Sequence, residues 1–340
     1  VKTVFDIMKE KNADYNLSVF RQKQSLPYEA KIKHAALRAN EFHEKLGGQV
    51  HISVGGIDSI TLLLFLRDIG IDCPAISVSS LEDKSIVKIH KELGVIPLSP
   101  LKNKVDVIKE YGFPVLSKET AGKIELLQNP TEKNATVRHA IITGETGEYG
   151  GYRKNTRMKM SQKWLQKFGG LENEREGVNY GIAPFRVSNK CCYYLKEKPC
   201  DNYAKAHGTY PYLGLMASEH GRREKGLMLN GCNYYGKTVT RSAPFAVFSR
   251  NDILQLALDL HVPVPEIYGE IRRDKTGNLY TTKAQRTGCS MCGFGIHLEK
   301  RPHRFDRLRE ANPKEWEFWM NNVGWGAVLD YIGVEWEDSI

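Results

Sequence analysis

The sequence predicts an α/β fold on a parallel sheet, and two observations carry that expectation. Short β-rich runs alternate with amphipathic stretches over residues 49–98, and Gly55-Gly56 stands where the first run gives way to a helical pattern. In order, Gln49 to Val54 reads as a strand, Ser59 to Ile69 as a helix, Ala75 to Ser79 as a strand, Asp83 to Leu93 as a helix and Val95 to Leu98 as a strand. Ahead of them, Tyr28 to Leu37 carries apolar residues at helical spacing, so residues 1–48 are expected to form a helical lead-in packed on the sheet edge. Beyond Pro100 the pattern turns irregular and basic. A break at Gly144, Gly147, Gly150 and Gly151 reads as an insertion or lid near 144–170. Tyr212 to Met216 resumes the sheet, and Ser249 followed by Asp252 has the form of a capping box that opens a helix running through Leu260. The expected domains are therefore the lead-in, an α/β body over 49–275, and a cysteine-bearing C-terminal region over 276–340 that packs on the same body.

A chain of 340 residues can bury a sizeable core without disulfide staples. Its first residues show no basic segment followed by an apolar one, and the longest apolar run, Ile60 to Leu66, is too short to cross a bilayer. A cytoplasmic protein with no membrane role is expected. The cysteines number seven, an odd count, and four of them form the pairs Cys191-Cys192 and Cys289-x-x-Cys292, which suits ligands in a reducing compartment better than disulfides. A net charge of +9 favours anionic partners: a nucleotide, a sulfated substrate or a nucleic acid. With no G-x-x-x-x-G-K-[ST] run, a Walker-type NTPase is disfavoured.

The stretch Ile52-Ser53-Val54-Gly55-Gly56-Ile57-Asp58-Ser59 follows a strand and opens a helix. Two glycines let the backbone turn sharply and present its N–H groups to a phosphate, and the helix N-terminus adds a field that favours anions. Asp58 is placed to hold a magnesium ion or to cap the helix, and Ser59 to donate to a phosphate oxygen; the competing reading is an ordinary strand-helix turn. Ser53 lies one residue too early, because successive side chains of a strand point to opposite faces.

The C-x-x-C turn Gly288-Cys289-Ser290-Met291-Cys292-Gly293 aims two thiolates at one centre, and sites of four thiolates take zinc or iron-sulfur clusters. Adjacent cysteines such as Cys191 and Cys192 are awkward for a single zinc, since their side chains diverge, and suit the spread corners of a cubane. Cys73 and Cys232 read as core residues, and Cys200 as structural. His297, Arg301, His303 and Arg304 are candidates to neutralise such a cluster. Arg153, Lys154, Arg157, Lys159, Lys163 and Lys167, interleaved with Tyr152 and Trp164, either track a nucleic-acid backbone or form a solvated helix face.

These features together resemble the PAPS-reductase branch of the PP-loop ATP pyrophosphatase superfamily. The loop is similar to S-G-G-x-D-S with Val54 in place of the first Ser. The Cys-Cys and distant C-x-x-C resemble the 4Fe-4S site of assimilatory adenylyl-sulfate reductases. Gly112 to Glu119, Gly214 to Glu219, Gly231 to Asn233 and Gly288 to Cys292 look like segments of PAPS-reductase-like proteins of bacteria and their phages. An E-S-x-x-R segment falls on Glu219-His220-Gly221-Arg222-Arg223, with His220 replacing Ser.

The resemblance implies a Rossmann-like PP-loop sheet of the adenine nucleotide alpha-hydrolase type. It implies that Ser53, Gly55, Gly56, Asp58, Ser59 and Lys118 bind ATP or an adenylyl sulfate (PAPS or APS), with Mg2+ as an accompanying ion. Asp58, Glu219 and Arg223 would serve catalysis, and Cys191, Cys192, Cys289 and Cys292 would hold a 4Fe-4S cluster. Sulfonucleotide reduction or sulfur transfer is the implied chemistry. The tail Gly333 to Ile340 carries no nucleophilic cysteine, which tilts the balance toward an ATP-dependent sulfurtransferase with a nucleic-acid acceptor and a redox or sulfur-donor protein as partners. An alternative of another class is a catalytically impaired nucleotide-sensing or nucleic-acid-binding module, motivated by Val54 and His220.

Overall fold

The computed structural model describes residues 16–145, 158–170, 180–219 and 221–337. The chain forms two compact units: Val1–Ser99 with Pro199–Cys289, and Pro100–Lys198 with Ser290–Ile340. This division falls elsewhere than the three-part organisation expected from the sequence. The chain leaves the α/β body at Ser99, builds much of a second core, and returns at Pro199.

Among the described residues, the first unit holds an α/β sheet of six strands, β1 (Val50–Ser53), β2 (Ala75–Ser77), β3 (Ile96–Pro97), β4 (Tyr210–Leu213), β5 (Asn233–Tyr235) and β6 (Thr240–Ser242), in the order β3-β2-β1-β4-β6-β5. All pairs are parallel except β5 with β6. Ile52 is in register with Ala75 on one side and Tyr212 on the other, so the strand order reverses between β1 and β4. Strands this short hold because both faces are covered: Val50, His51, Ile52, Ile76 and Tyr212 are all buried. The helices Ile57–Asp68 and Lys84–Glu92 follow β1 and β2 as the pattern predicts. β4 starts and ends earlier than expected, because the Leu215 amide turns back to the Leu213 carbonyl at 2.9 Å and Gly214 leaves the ladder.

The helix Tyr28–Lys45 has the expected helical spacing and reaches the edge strand β5, where Asn233 Nδ2 donates to the Arg38 carbonyl at 2.8 Å and the Tyr235 ring lies 5.8 Å from Phe42, but it also extends past the edge. Its Phe42 ring meets the Tyr212 ring edge-on at 5.1 Å, and the Tyr212 hydroxyl donates to the Ala39 carbonyl at 2.8 Å, so it covers an interior strand. The helix Arg250–Asp259 begins with the expected box: the Asp252 amide donates to Ser249 Oγ at 3.2 Å, and the Ser249 amide to Asp252 Oδ2 at 2.7 Å. A hairpin of β7 (Ile271–Arg273) and β8 (Leu279–Thr281) follows.

The second unit is mainly helical among the described residues. Its core gathers Leu116, Ile124, Phe168, Phe305 and Trp325, so segments on both sides of the first unit's return share one interior. For that reason residues 290–340 belong with 100–198 rather than with the α/β body. Residues 146–157 of the expected insertion, with Gly147, Gly150, Gly151, Tyr152, Arg153, Lys154 and Arg157, lie outside the described residues.

Candidate functional site

In the first unit the chain passes from β1 through Val54, Gly55 and Gly56 into the helix Ile57–Asp68, beside the reversal of strand order, where open α/β sheets place their ligand crevice. Two close approaches shape this corner. A Cβ on Gly214, just past β4, would stand 3.0 Å from Ser59 Cα and 3.1 Å from its amide nitrogen, so a side chain there would have to push the first turn of that helix away by a few tenths of an ångström. Buried His90 holds the loop from the other side: its Nε2–H donates to the Gly55 carbonyl at 2.8 Å, which leaves Nδ1 to accept from Ser79 Oγ at 3.2 Å.

The loop residues fill roles that differ in part from those expected. Ser59 Oγ accepts from the Gly55 amide at 2.7 Å and donates to the Gly56 carbonyl at 3.0 Å, so its proton is used within the loop. Val54 is buried and belongs to the core of the unit. Ser53 closes β1 in register with Ile76 and Leu213. The Ile57 amide, at the start of the helix, donates to the Tyr268 hydroxyl at 3.2 Å.

Asp58 stands in a group of charges that the sequence scattered over two hundred residues. It is ion-paired with Arg250, whose Nη2 also donates to the Gln285 carbonyl at 3.2 Å. Removal from water pushes the Asp58 carboxyl above its usual range; Arg250 opposes this, Glu219 adds to it, and Arg286 and Arg223 oppose it more weakly. Glu219 is in turn paired with Arg223, one turn of chain later. Arg250, Arg286 and Arg223 thus share this corner with Asp58 and Glu219, and a third carboxylate, Glu82, faces Gly55 with Oε1 3.7 Å from where a Cβ would stand, so guanidinium groups able to pair with an anion are met by nearby carboxylates. Glu219 and Arg223 thus gather where the sequence motif placed them, while Arg250 and Arg286 were not foreseen. The one available signal was the capping box, which sets Arg250 in the first turn of its helix. His220 lies outside the described residues.

Lys118 belongs to the second unit, not to the loop's unit. It opens the helix Lys118–Gln128, pairs with Glu197 at 3.1 Å and stands beside Cys192. Burial works against its charge, but Cys192 and Glu197 hold the ammonium above the ordinary lysine range. Two cysteine-bearing segments converge on the chain around Lys118. Asn189 Nδ2, just before Cys191 and Cys192, donates to the Lys118 carbonyl at 3.3 Å, and the Gly295 amide, just after Cys292, donates to the Leu116 carbonyl at 2.6 Å. Cys191 is buried, and Cys192 and Cys292 are half-buried. Cys289 is the last residue of the first unit.

A donor set of four thiols suits an iron-sulfur cluster or zinc. The turn fits such a role locally, because Met291 takes a left-handed φ of 53° and Gly293 packs under the Trp325 ring and the Pro114 carbonyl with no room for a side chain. Among the described residues no three His, Cys, Asp or Glu side chains stand gathered as a preformed metal cage. What fits is the donor chemistry and the converging backbone.

Of the basic residues after the turn, Arg304 reaches it, donating to the Cys292 carbonyl at 3.1 Å while paired with Glu299. Arg301 pairs with Asp306, and buried His303 caps the helix Arg304–Ala311. His297 lies edge-on to Trp164 at 5.6 Å, and burial lowers its pKa, so it is a poor source of positive charge. Lys167 donates to the Tyr331 carbonyl at 2.5 Å, and Lys163 covers the Trp164 ring at 4.7 Å. Burial pushes the Cys73 and Cys232 thiols up to about 11, as expected of inert core cysteines. No helix is long and apolar enough to cross a membrane among the described residues. No protein-family model matches the chain, and no curated protein matches it.

Proposed function

We propose that this chain is an enzyme of the PAPS-reductase branch of the PP-loop superfamily, binding the phosphate or sulfate end of ATP or of PAPS or APS at the Gly55-Gly56 loop. The observation that supports this reading is the corner itself: a glycine turn at the reversal of strand order, with Arg223, Arg250 and Arg286 around the start of one helix. In this reading the guanidinium groups hold and orient the anion, and His90 keeps the loop in shape. Asp58, tied to Arg250, positions that cation and takes up Mg2+ only by giving up the pair. Cys191, Cys192, Cys289 and Cys292 would hold a 4Fe-4S cluster, which when bound supplies electrons or a soft site for sulfur. A nucleic-acid acceptor and a redox or sulfur-donor protein are the implied partners.

Two observations favour a second reading, a catalytically impaired nucleotide-binding module. Val54 presents no hydroxyl to the loop, and the Tyr268 phenol already takes the Ile57 amide. Anaerobic assay of the intact protein with ATP and with PAPS separates the readings. Sulfite from PAPS supports reduction, and pyrophosphate from ATP supports adenylation ahead of sulfur transfer. Nucleotide binding with neither product supports the module, and no binding of either nucleotide ends both readings.

A further inference from the structure

We propose that the Tyr268 hydroxyl is a built-in occupant of the anion position in the Gly55-Gly56 loop, a self-blocking contact that a phosphate must displace. This deepens the nucleotide reading above and rests on it. The phenol oxygen accepts from the Ile57 amide at 3.2 Å, one of the N–H groups that a helix N-terminus offers to an anion. It also fills the space over Gly56, where an added Cβ would collide with it and would stand 3.1 Å from Thr287 Oγ1. The small residue at 56 is thus demanded by the tyrosine before any ligand arrives.

Tyr268 is held there firmly. It is 3% exposed and ends the short helical turn Glu266–Tyr268; its amide donates to the Pro265 carbonyl at 2.9 Å, and its carbonyl accepts from the Lys283 amide at 3.0 Å. The neighbouring Ile267 amide donates to Ser85 Oγ at 3.2 Å. The hydroxyl has a second partner within reach, Thr287 Oγ1 at 2.9 Å. The hydroxyl makes both contacts at once, so when an anion takes the Ile57 amide the phenol keeps Thr287 and no buried hydroxyl is stranded.

Titration calorimetry with ATP and with inorganic pyrophosphate tests this on the full chain, with melting temperature as the control for folding. Tyr268→Phe keeps the ring and removes the competing oxygen, and is expected to bind about tenfold more tightly, the gain of one hydrogen bond to a charged group. Thr287→Val removes the partner that the displaced hydroxyl would keep, and is expected to bind more weakly. Unchanged or weaker binding by Tyr268→Phe, with measurable binding by the unsubstituted protein, overturns the self-blocking contact and leaves the nucleotide reading standing. Thr287→Val binding as tightly as the unsubstituted protein overturns it too, and covers the case in which Tyr268→Phe fails to fold. No binding by any of the three proteins overturns the nucleotide reading and the proposal together.

Discussion

The Gly295 amide donates to the Leu116 carbonyl at 2.6 Å, and the same short stretch of chain receives Asn189 at the Lys118 carbonyl. Segments that carry Cys292 and the Cys191-Cys192 pair, about a hundred residues apart in the chain, are thereby tied to one turn. One tie joins two backbone groups and the other the Asn189 side-chain amide to a backbone carbonyl; neither uses a thiol, so they hold whether or not the thiols are ligated.

If the cysteines hold a cluster, anaerobically purified protein is brown, with the broad visible absorption of thiolate-to-iron charge transfer. Cys292→Ser and Cys191→Ser are each expected to bleach it, while Cys73→Ser leaves it, since that thiol lies in the first unit's core. Colourless protein with one bound zinc would remove the cluster from the account.

His51 supplies a pH dependence with a defined sign. Its ring is 1% exposed on β1, with Nδ1 2.9 Å from Thr209 Oγ1, and burial lowers its pKa from 6.5 to about 4. The unfolded chain therefore binds a proton between these values that the folded chain refuses. The contribution of neutral His51 is fully present above pH 6.5 and is lost as pH falls through about 4. The loss is on the order of 3 kcal/mol at the acid end. Urea denaturation across this range is expected to show a shallower pH slope for His51→Gln. Some slope persists, because burial lowers His34 to about 4 as well. Parallel curves for the two proteins would show that His51 does not titrate on unfolding.

The first three strands and the helices between them were legible because each is a local pattern: apolar runs for β1 and β2, helical spacing for Ile57–Asp68 and Lys84–Glu92. The capping box was legible for the same reason. The hairpin of β7 and β8 went unread although its turn has a sequence signal: Asp274 Oδ1 accepts from the Thr276 and Asn278 amides, and Gly277 takes a φ of 88°. The site was legible only where one segment builds it. Gly55 and Gly56 stand out, but Tyr268, Thr287 and His90 reach the loop, and Arg286 acts on Asp58, from segments whose local patterns say nothing of it. The two-unit division was hidden because the chain passes between the units more than once, and no local composition marks a core assembled from distant pieces.

Val54 stands where the resembled family has a serine, and restoring the hydroxyl is the obvious substitution. Its side chain is 5% exposed within the core, while its amide donates to the Ile76 carbonyl at 2.8 Å. Val54→Ser therefore loses buried methyl groups and desolvates a hydroxyl. The expected cost is about 1–3 kcal/mol with no gain in ATP affinity. A variant that binds ATP tenfold more tightly at unchanged stability would show that the side chain turns to the ligand.

The glycines of the corner separate folding from binding. A Cβ on Gly214 would meet Ser59 Cα, N and Cβ at 3.0–3.2 Å, so Gly214→Ala pushes backbone against backbone, and neither side is a flexible chain end. The expected loss is about 1–3 kcal/mol of stability, with weakened binding following from the displaced helix start. Gly55 differs. An added Cβ there meets only Glu82 Oε1 at 3.7 Å and Ser59 Oγ at 3.9 Å, ordinary contacts, and its φ does not require glycine. Gly55→Ala is therefore expected to fold with stability within about 1 kcal/mol of the unsubstituted protein, the usual range for an accommodated substitution. If the loop backbone cradles a phosphate, the methyl thickens the turn where the anion must approach, and ATP affinity drops by about tenfold, the loss of one hydrogen bond to a charged group. Gly55→Ala with full stability and full ATP affinity would mean that the turn serves only to join β1 to its helix, and the anion site would have to be sought elsewhere.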